Sequence, residues 1–207
     1  MTKYYQSYVI ALHGPKGSGK SLYLAYMGMI DLWGGRQVWS NMPLIISKRF
    51  AEVHGDKSKA GLKTTPLDWN ALYSLDAGLV EGTVLIDEAQ YFSDSRSSTS
   101  MKNRLLNAIV AQVRKRSLNL YYSVKVGDWV DKRLNYETDV VIDCYNASYS
   151  DWGRSKEVPN GAVIRLRLYD MSGVITGRAY SHQYPFPYKT CMFKRGYLVW
   201  DCYNTSK

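Results

Sequence analysis

The sequence predicts an α/β fold, a mostly parallel sheet flanked by helices, and three observations lead to it. An apolar run, Tyr8-Val9-Ile10-Ala11-Leu12, opens directly into GPKGSGKS, from Gly14 to Ser21. A second run, Thr83-Val84-Leu85-Ile86, is the continuous apolar β stretch expected of a strand buried on both faces of a parallel sheet, and it ends in Asp87-Glu88-Ala89-Gln90. Segments with helical spacing alternate with these and other short β-prone runs, which is the pattern of a parallel sheet with crossover helices.

The elements follow in order. Leu22, Leu24, Ala25, Met27, Ile30 and Leu32 share helical spacing, so the first helix should start at Ser21 and stop at Gly34-Gly35. Gln37 to Ser40 reads as a second strand, ended by Pro43. Ser47 to Thr65 shows little periodicity and many cations, among them Lys57, Lys59 and Lys63, and is expected to be an exposed basic loop. Pro66 to Leu75 has the spacing of a short helix. After the Thr83 strand, Ser93 to Ser100 is a polar loop, and Met101 to about Arg116 a helix with Leu105, Ile109 and Val113 on one side. Leu118 to Val124 and Val140 to Cys144 are the fourth and fifth strands, with a loop or short helix between them. Val163 to Tyr169 alternates, Ser172-Gly173 turns and Val174 to Tyr180 returns, a C-terminal β-hairpin extension. The 207 residues suit a single domain, with a core at about 5–145 and the hairpin and tail at about 160–207.

GPKGSGKS matches the phosphate-binding loop pattern in full and in the strand-loop-helix context it requires. Backbone N–H groups can converge on phosphate oxygens only where side chains stay away, and Gly14, Gly17 and Gly19 provide that clearance around Pro15, Lys16 and Ser18. Lys20 can reach the β- and γ-phosphates, Ser21 can ligate Mg²⁺, and Leu22 follows at the helix start, where the dipole favours an anion. Groups at the carboxyl ends of neighbouring strands converge, so Asp87 can stand beside Ser21 at the metal and Glu88 is left for an attacking water.

Composition narrows the classes. With 45% hydrophobic and 22% charged residues the chain is an ordinary folded protein. The 27 Lys and Arg against 18 Asp and Glu leave +9, a bias toward polyanionic partners. Cys144, Cys191 and Cys202 show no CxxC spacing, which fits reduced thiols inside a cell. The first residues do not read as a signal peptide, so none is expected, and no apolar run approaches the ~20 residues of a membrane span.

Taken in this order, the phosphate loop, VLIDEAQ, VRKRSLNLYYS and VDKRL resemble the FtsK/HerA superfamily of DNA-pumping ATPases, over about Tyr8 to Ile142. Within it the chain is most similar to the genome-packaging ATPases of archaeal turreted icosahedral viruses. Through VWSNMPL, DEAQ and DKRL it also resembles the zonula occludens toxin-like assembly ATPases of filamentous phages. Members of the latter group usually continue into a membrane span, which is expected to be missing here. The resemblance implies a P-loop NTPase (RecA-like) fold, ATP as substrate with Mg²⁺, and catalytic roles for Lys20 and Glu88 with Ser21 and Asp87 at the metal. It also implies an arginine sent into the neighbouring subunit's site, at Arg114 or Arg116, and a sensor glutamine whose region here holds Ser123, Val124 and Lys125.

The expected function is a viral genome-packaging ATPase that drives double-stranded DNA into a preformed capsid. It would act as a homo-oligomeric ring, hexamer or pentamer, in the host cytoplasm or at the packaging vertex of the virion. Its grips on DNA phosphates would be Lys57, Lys59, Lys63, Arg96, Lys102 and the loop from Lys125 to Arg133. The alternatives keep the loop and change the partner: an assembly or secretion ATPase working with membrane-associated viral proteins, a small-molecule kinase, or a nucleotide-gated module without turnover.

Overall fold

The computed structural model describes residues 7–67, 79–91, 109–125, 132–171 (backbone only at 132–133) and 189–202. In chain order the strands are β1 (Val9–His13), β2 (Gln37–Ser40), β3 (Thr65–Pro66), β4 (Gly82–Ile86), β5 (Asn119–Val124), β6 (Val140–Asn146), β7 (Ile164–Asp170) and β8 (Lys189–Phe193). Among the described residues the helices include α1 (Lys20–Trp33), α2 (Lys48–Val53), α3 (Lys132–Tyr136) and α4 (Asp151–Ser155). One eight-stranded sheet has the order β3-β2-β4-β5-β1-β6-β7-β8. The pairings from β3 to β6 are parallel, and β7 and β8 join antiparallel at the far edge.

Two core layers explain the period of two along the strands. Leu12, Leu85, Tyr121, Ile142 and Cys144 face the layer built with Leu24, Ala25 and Met29 of α1. Val9, Ala11, Val84, Ile86, Leu120, Tyr122 and Val124 face the opposite layer, with Ile109, Val110, Val113 and Leu134. Every residue of β4 and β5 is buried, as a central parallel strand covered on both faces requires.

Three expectations change. The basic segment after residue 47 keeps Lys57 and Lys63 exposed as expected, but it opens with a packed helix: Ser47 Oγ accepts the Phe50 N–H to cap α2, and Phe50 and Ala51 are fully buried. Phe50 stacks on His54 at 4.1 Å between centroids and meets Tyr26 and Trp33 edge-on. A helix of six residues is too short to display a period, which is why the sequence reads as irregular. Pro66 closes the edge strand β3 instead of opening a helix, since an edge tolerates the missing N–H. The partner of β7 on its free side is β8, from Lys189 onward, and over Ile164 to Leu168 both edges of β7 are taken, by β6 and β8. The proposed returning strand 174–180 lies outside the described residues, as do most of the 66–75 helix, the 93–100 loop and residues 101–108. The helix before β5 is described only at its end, where residues 109–112 are helical.

Candidate functional site

The phosphate loop joins the C-terminal end of β1 to α1. Gly14 has φ 142°, and a Cβ there would stand 2.6 Å from the Cys144 carbonyl oxygen and 2.7 Å from Ser18 Oγ. Gly19, the residue before α1, has φ 93°, and a Cβ would be 2.5 Å from Ile164 Cδ1. These positions need glycine for both conformation and space. The loop is pinned by Ser18 N–H to Pro15 O at 3.2 Å and by Tyr23 N–H to Gly19 O at 2.9 Å. Pro15, Lys16 and Gly17 are exposed, whereas Ser18 is buried with no partner for its hydroxyl among the described residues.

Lys20 folds its ammonium back across the loop and donates to the carbonyls of Gly14 at 2.6 Å and Pro15 at 2.9 Å. Burial holds its pKa below the ordinary lysine value, opposed by the nearby Cys144, Asp87 and Glu88. Its neighbour Ser21 donates its hydroxyl to Asp87 Oδ1 at 2.9 Å, so the two halves of the motif pair meet although β5 separates β1 from β4. Ser21 Oγ and the Asp87 carboxylate form a hard-oxygen donor set of the kind Mg²⁺ takes alongside waters and phosphate oxygens.

Two residues from flanking strands hold Asp87 in place. From the end of β2, Asn41 Oδ1 accepts the Asp87 N–H at 2.8 Å and Asn41 Nδ2 donates to the Asp87 carbonyl at 2.9 Å. From β5, Ser123 Oγ donates to Asp87 Oδ1 at 2.5 Å and accepts the Glu88 N–H at 2.9 Å. Glu88 itself is exposed and left-handed, with φ 54°. For a residue with a Cβ that conformation costs on the order of 1 kcal/mol, and here the turn is tied to Ser123 on one side and by Tyr91 N–H to Glu88 O on the other. Within the sensor region, Ser123 is therefore bonded to both acidic residues. Asn41 lies within VWSNMPL, whose family likeness implies no role for this side chain.

Arg114 and Arg116 are not brought to this site. Both sit in the turn before β5, at the N-terminal ends of the parallel strands, whereas the phosphate loop is at their C-terminal ends, so the length of β5, about 17 Å, lies between them. Arg114 donates to Asp139 Oδ1 at 2.8 Å, and Asp139 Oδ2 accepts the Val9 N–H at 2.8 Å. Arg116 Nε donates to Gln112 Oε1 at 2.7 Å. Among the other cations, Lys59 packs over the Trp33 ring and donates to the Trp33 carbonyl at 2.7 Å, serving the C-terminus of α1, and Lys57 pairs with Glu52 at 3.3 Å. Arg96 and Lys102 lie outside the described residues.

A glycine-rich loop between β1 and α1, an acidic strand end two strands away and a bridging strand between them decide the architecture. The fold is that of a P-loop NTPase. Solved structures with this P-loop NTPase fold include the N-terminal domain of zonular occludens toxin from Neisseria meningitidis, with a TM-score of 0.57 and 13% identity over 96% of this chain and 99% of that chain. They also include B204, the DNA-packaging ATPase from Sulfolobus Turreted Icosahedral Virus, at TM-score 0.52 and 15% identity over 92% and 98%. The genome packaging NTPase B204 from Sulfolobus turreted icosahedral virus 2 in complex with AMPPCP gives 0.51 and 15% over 91% and 98%. At such identities the likeness is one of fold. No protein-family model matches the chain, and no curated protein sequence matches it.

Proposed function

We propose that the protein is a Mg²⁺-dependent ATP hydrolase that works as a ring of identical subunits to move double-stranded DNA, in the manner of a viral genome-packaging motor. The observation that carries the hydrolase reading is the Ser21–Asp87 contact with Glu88 on the adjacent left-handed turn. In this reading the loop N–H groups and Lys20 hold the phosphates, and Lys20 gives up the Gly14 and Pro15 carbonyls for the more strongly charged oxygens. Asp87, fixed by Asn41 and Ser123, presents its carboxylate beside Ser21, where bound Mg²⁺ would neutralise charge on the transferring phosphoryl group. Glu88 accepts a proton from the attacking water. Arg114 or Arg116 acts on the site of the next subunit, which agrees with their distance from their own loop. The +9 charge supports a polyanionic track, and a motor that grips any sequence would contact phosphates through Lys57, Lys63 and Lys125. It would act in the host cytoplasm or at the capsid vertex.

The test is phosphate release. Glu88→Gln should lower it by about 10²–10⁴-fold while ATP remains bound. Double-stranded DNA should raise turnover of the assembled protein, with binding that weakens steeply as salt rises. ATP turnover indifferent to DNA in an assembled ring would remove the motor reading and leave the hydrolase.

The assembly-ATPase alternative draws support from the likeness to the zonular occludens toxin domain over nearly the whole of both chains. Among the described residues no helix is long and apolar enough to cross a membrane. Co-purification with a membrane-spanning partner, and no effect of DNA on turnover, would favour that alternative.

A further inference from the structure

The region after β6 has no part in the chemistry above, yet it grips the phosphate loop. Asn146, the last residue of β6 and almost wholly buried, donates from Nδ2 to the Gly17 carbonyl at 3.2 Å and to Asn160 Oδ1 at 2.5 Å. Its Oδ1 accepts from the Ser148 N–H at 3.1 Å, the Ser148 hydroxyl at 2.9 Å and the Gly161 N–H at 3.4 Å. One amide thus ties the loop to the turn Ala147–Tyr149 and to residues 160–161. That turn places Tyr149 against the loop: a Cβ on Gly17 would stand 3.0 Å from the Tyr149 hydroxyl and 3.6 Å from ring carbon Cε2. Tyr149 is nevertheless half exposed.

The polarity of the site says what that ring faces. The metal and γ-phosphate end is marked by Ser21 and Asp87, on the β5–β4 side of β1. Tyr149 and Asn146 stand on the other side, where β6 pairs with β1. A nucleoside triphosphate carries its base at the end remote from the γ-phosphate. With that phosphate on the β5 side, ribose and base leave the loop on the β6 side. There the loop residue nearest the ring is a glycine, which puts no side chain of its own against the ring.

We propose that Tyr149 is the platform on which the base of the nucleotide stacks, held at the loop by Asn146; this rests on the reading of Gly14 to Ser21 as a triphosphate site. Stacking on an aromatic face tolerates any base, so the platform contributes affinity for nucleotide over bare polyphosphate and little choice between adenine and guanine.

The experiment is calorimetric binding of MgATP and of magnesium tripolyphosphate to the full chain and to Tyr149→Ala and Tyr149→Phe, each checked by thermal melting. Tyr149→Ala should bind ATP about tenfold more weakly, bind tripolyphosphate as the wild type does, and recover ATP affinity as Tyr149→Phe. An alanine variant that loses both ligands equally, or neither, overturns the platform, while binding of both ligands by the wild type keeps the triphosphate site. A wild-type chain that binds neither ligand overturns the triphosphate site and the platform with it.

Discussion

Ser21 Oγ and Asp87 Oδ1 lie 2.9 Å apart although 66 positions separate them in the chain. The contact crosses β5, whose Ser123 hydroxyl reaches the same carboxylate oxygen and also the Glu88 N–H. Two strand ends and the first turn of α1 therefore converge on one oxygen, and the hydroxyl that holds Asp87 also fixes the backbone of Glu88.

That arrangement makes Ser123 a positioning residue. Ser123→Ala should lower kcat by about tenfold or more, since it frees both Asp87 and the Glu88 turn, while affinity for ATP changes little. Steady-state phosphate release read beside equilibrium nucleotide binding separates the two. Equal losses in both would assign Ser123 to binding.

Arg114 is mostly exposed and pairs with Asp139 at the end of the strands away from the loop. A surface pair of this kind contributes about 0–1 kcal/mol, so Arg114→Ala should leave the melting temperature almost unchanged. Its effect should appear only in trans. Mixed with Lys20→Ala subunits, which keep their own arginine, Arg114→Ala subunits should regain turnover that neither variant shows alone. If no mixture restores turnover, the test moves to Arg116.

Asn146→Ala should destabilise the fold, because it strands the Ser148 and Gly161 N–H groups and the Gly17 carbonyl around a buried position. Leaving such groups unpaired costs about 1–3 kcal/mol each when water cannot reach them. A fall in the thermal midpoint of several degrees is expected. An unchanged midpoint would mean that the Asn146 bonds are not retained in solution.

Stability should fall as pH rises above about 9. Burial pushes the Cys144 thiol up to about 12 from an ordinary 9.0, and the Tyr23 hydroxyl up to about 12 from 10.0. Both raised groups favour the folded state while the unfolded chain would still hold their protons. As pH passes the unfolded values the unfolded chain releases protons that the native chain keeps, and stability is lost through to about 12. Tyr121 and Cys202, also raised by burial, act with the same sign. Lys20 acts oppositely, because its lowered pKa makes the native chain give up its proton first, which adds stability on the approach to 10.5. Midpoints measured at pH 8 and pH 10.5 should decline, and Cys144→Ala should flatten that decline. A flat wild-type profile would contradict the burial of these groups.

What the sequence by itself determined was local. A strand, a glycine-rich turn and the start of a helix are contiguous, so spacing alone displays Gly14 to Ser21, and the apolar run of β4 announces Asp87 and Glu88 at its end. The bounds of β2 and the halt of α1 at Gly34 were legible for the same reason, since turn chemistry and period are properties of neighbours in the chain. Only the tertiary structure decided that β5 stands between the two motifs, that Asn41 and Ser123 clamp Asp87, and that Arg114 faces away from its own loop. It also turned the basic stretch after residue 47 into a packed helix around Phe50 and set β8 beside β7. Asn146 meets Gly17 across 129 positions. No local pattern encodes such a contact, because strand order and the pairing of distant polar groups follow from burying both faces of the sheet together, and residues of ordinary type then acquire roles from where packing leaves them.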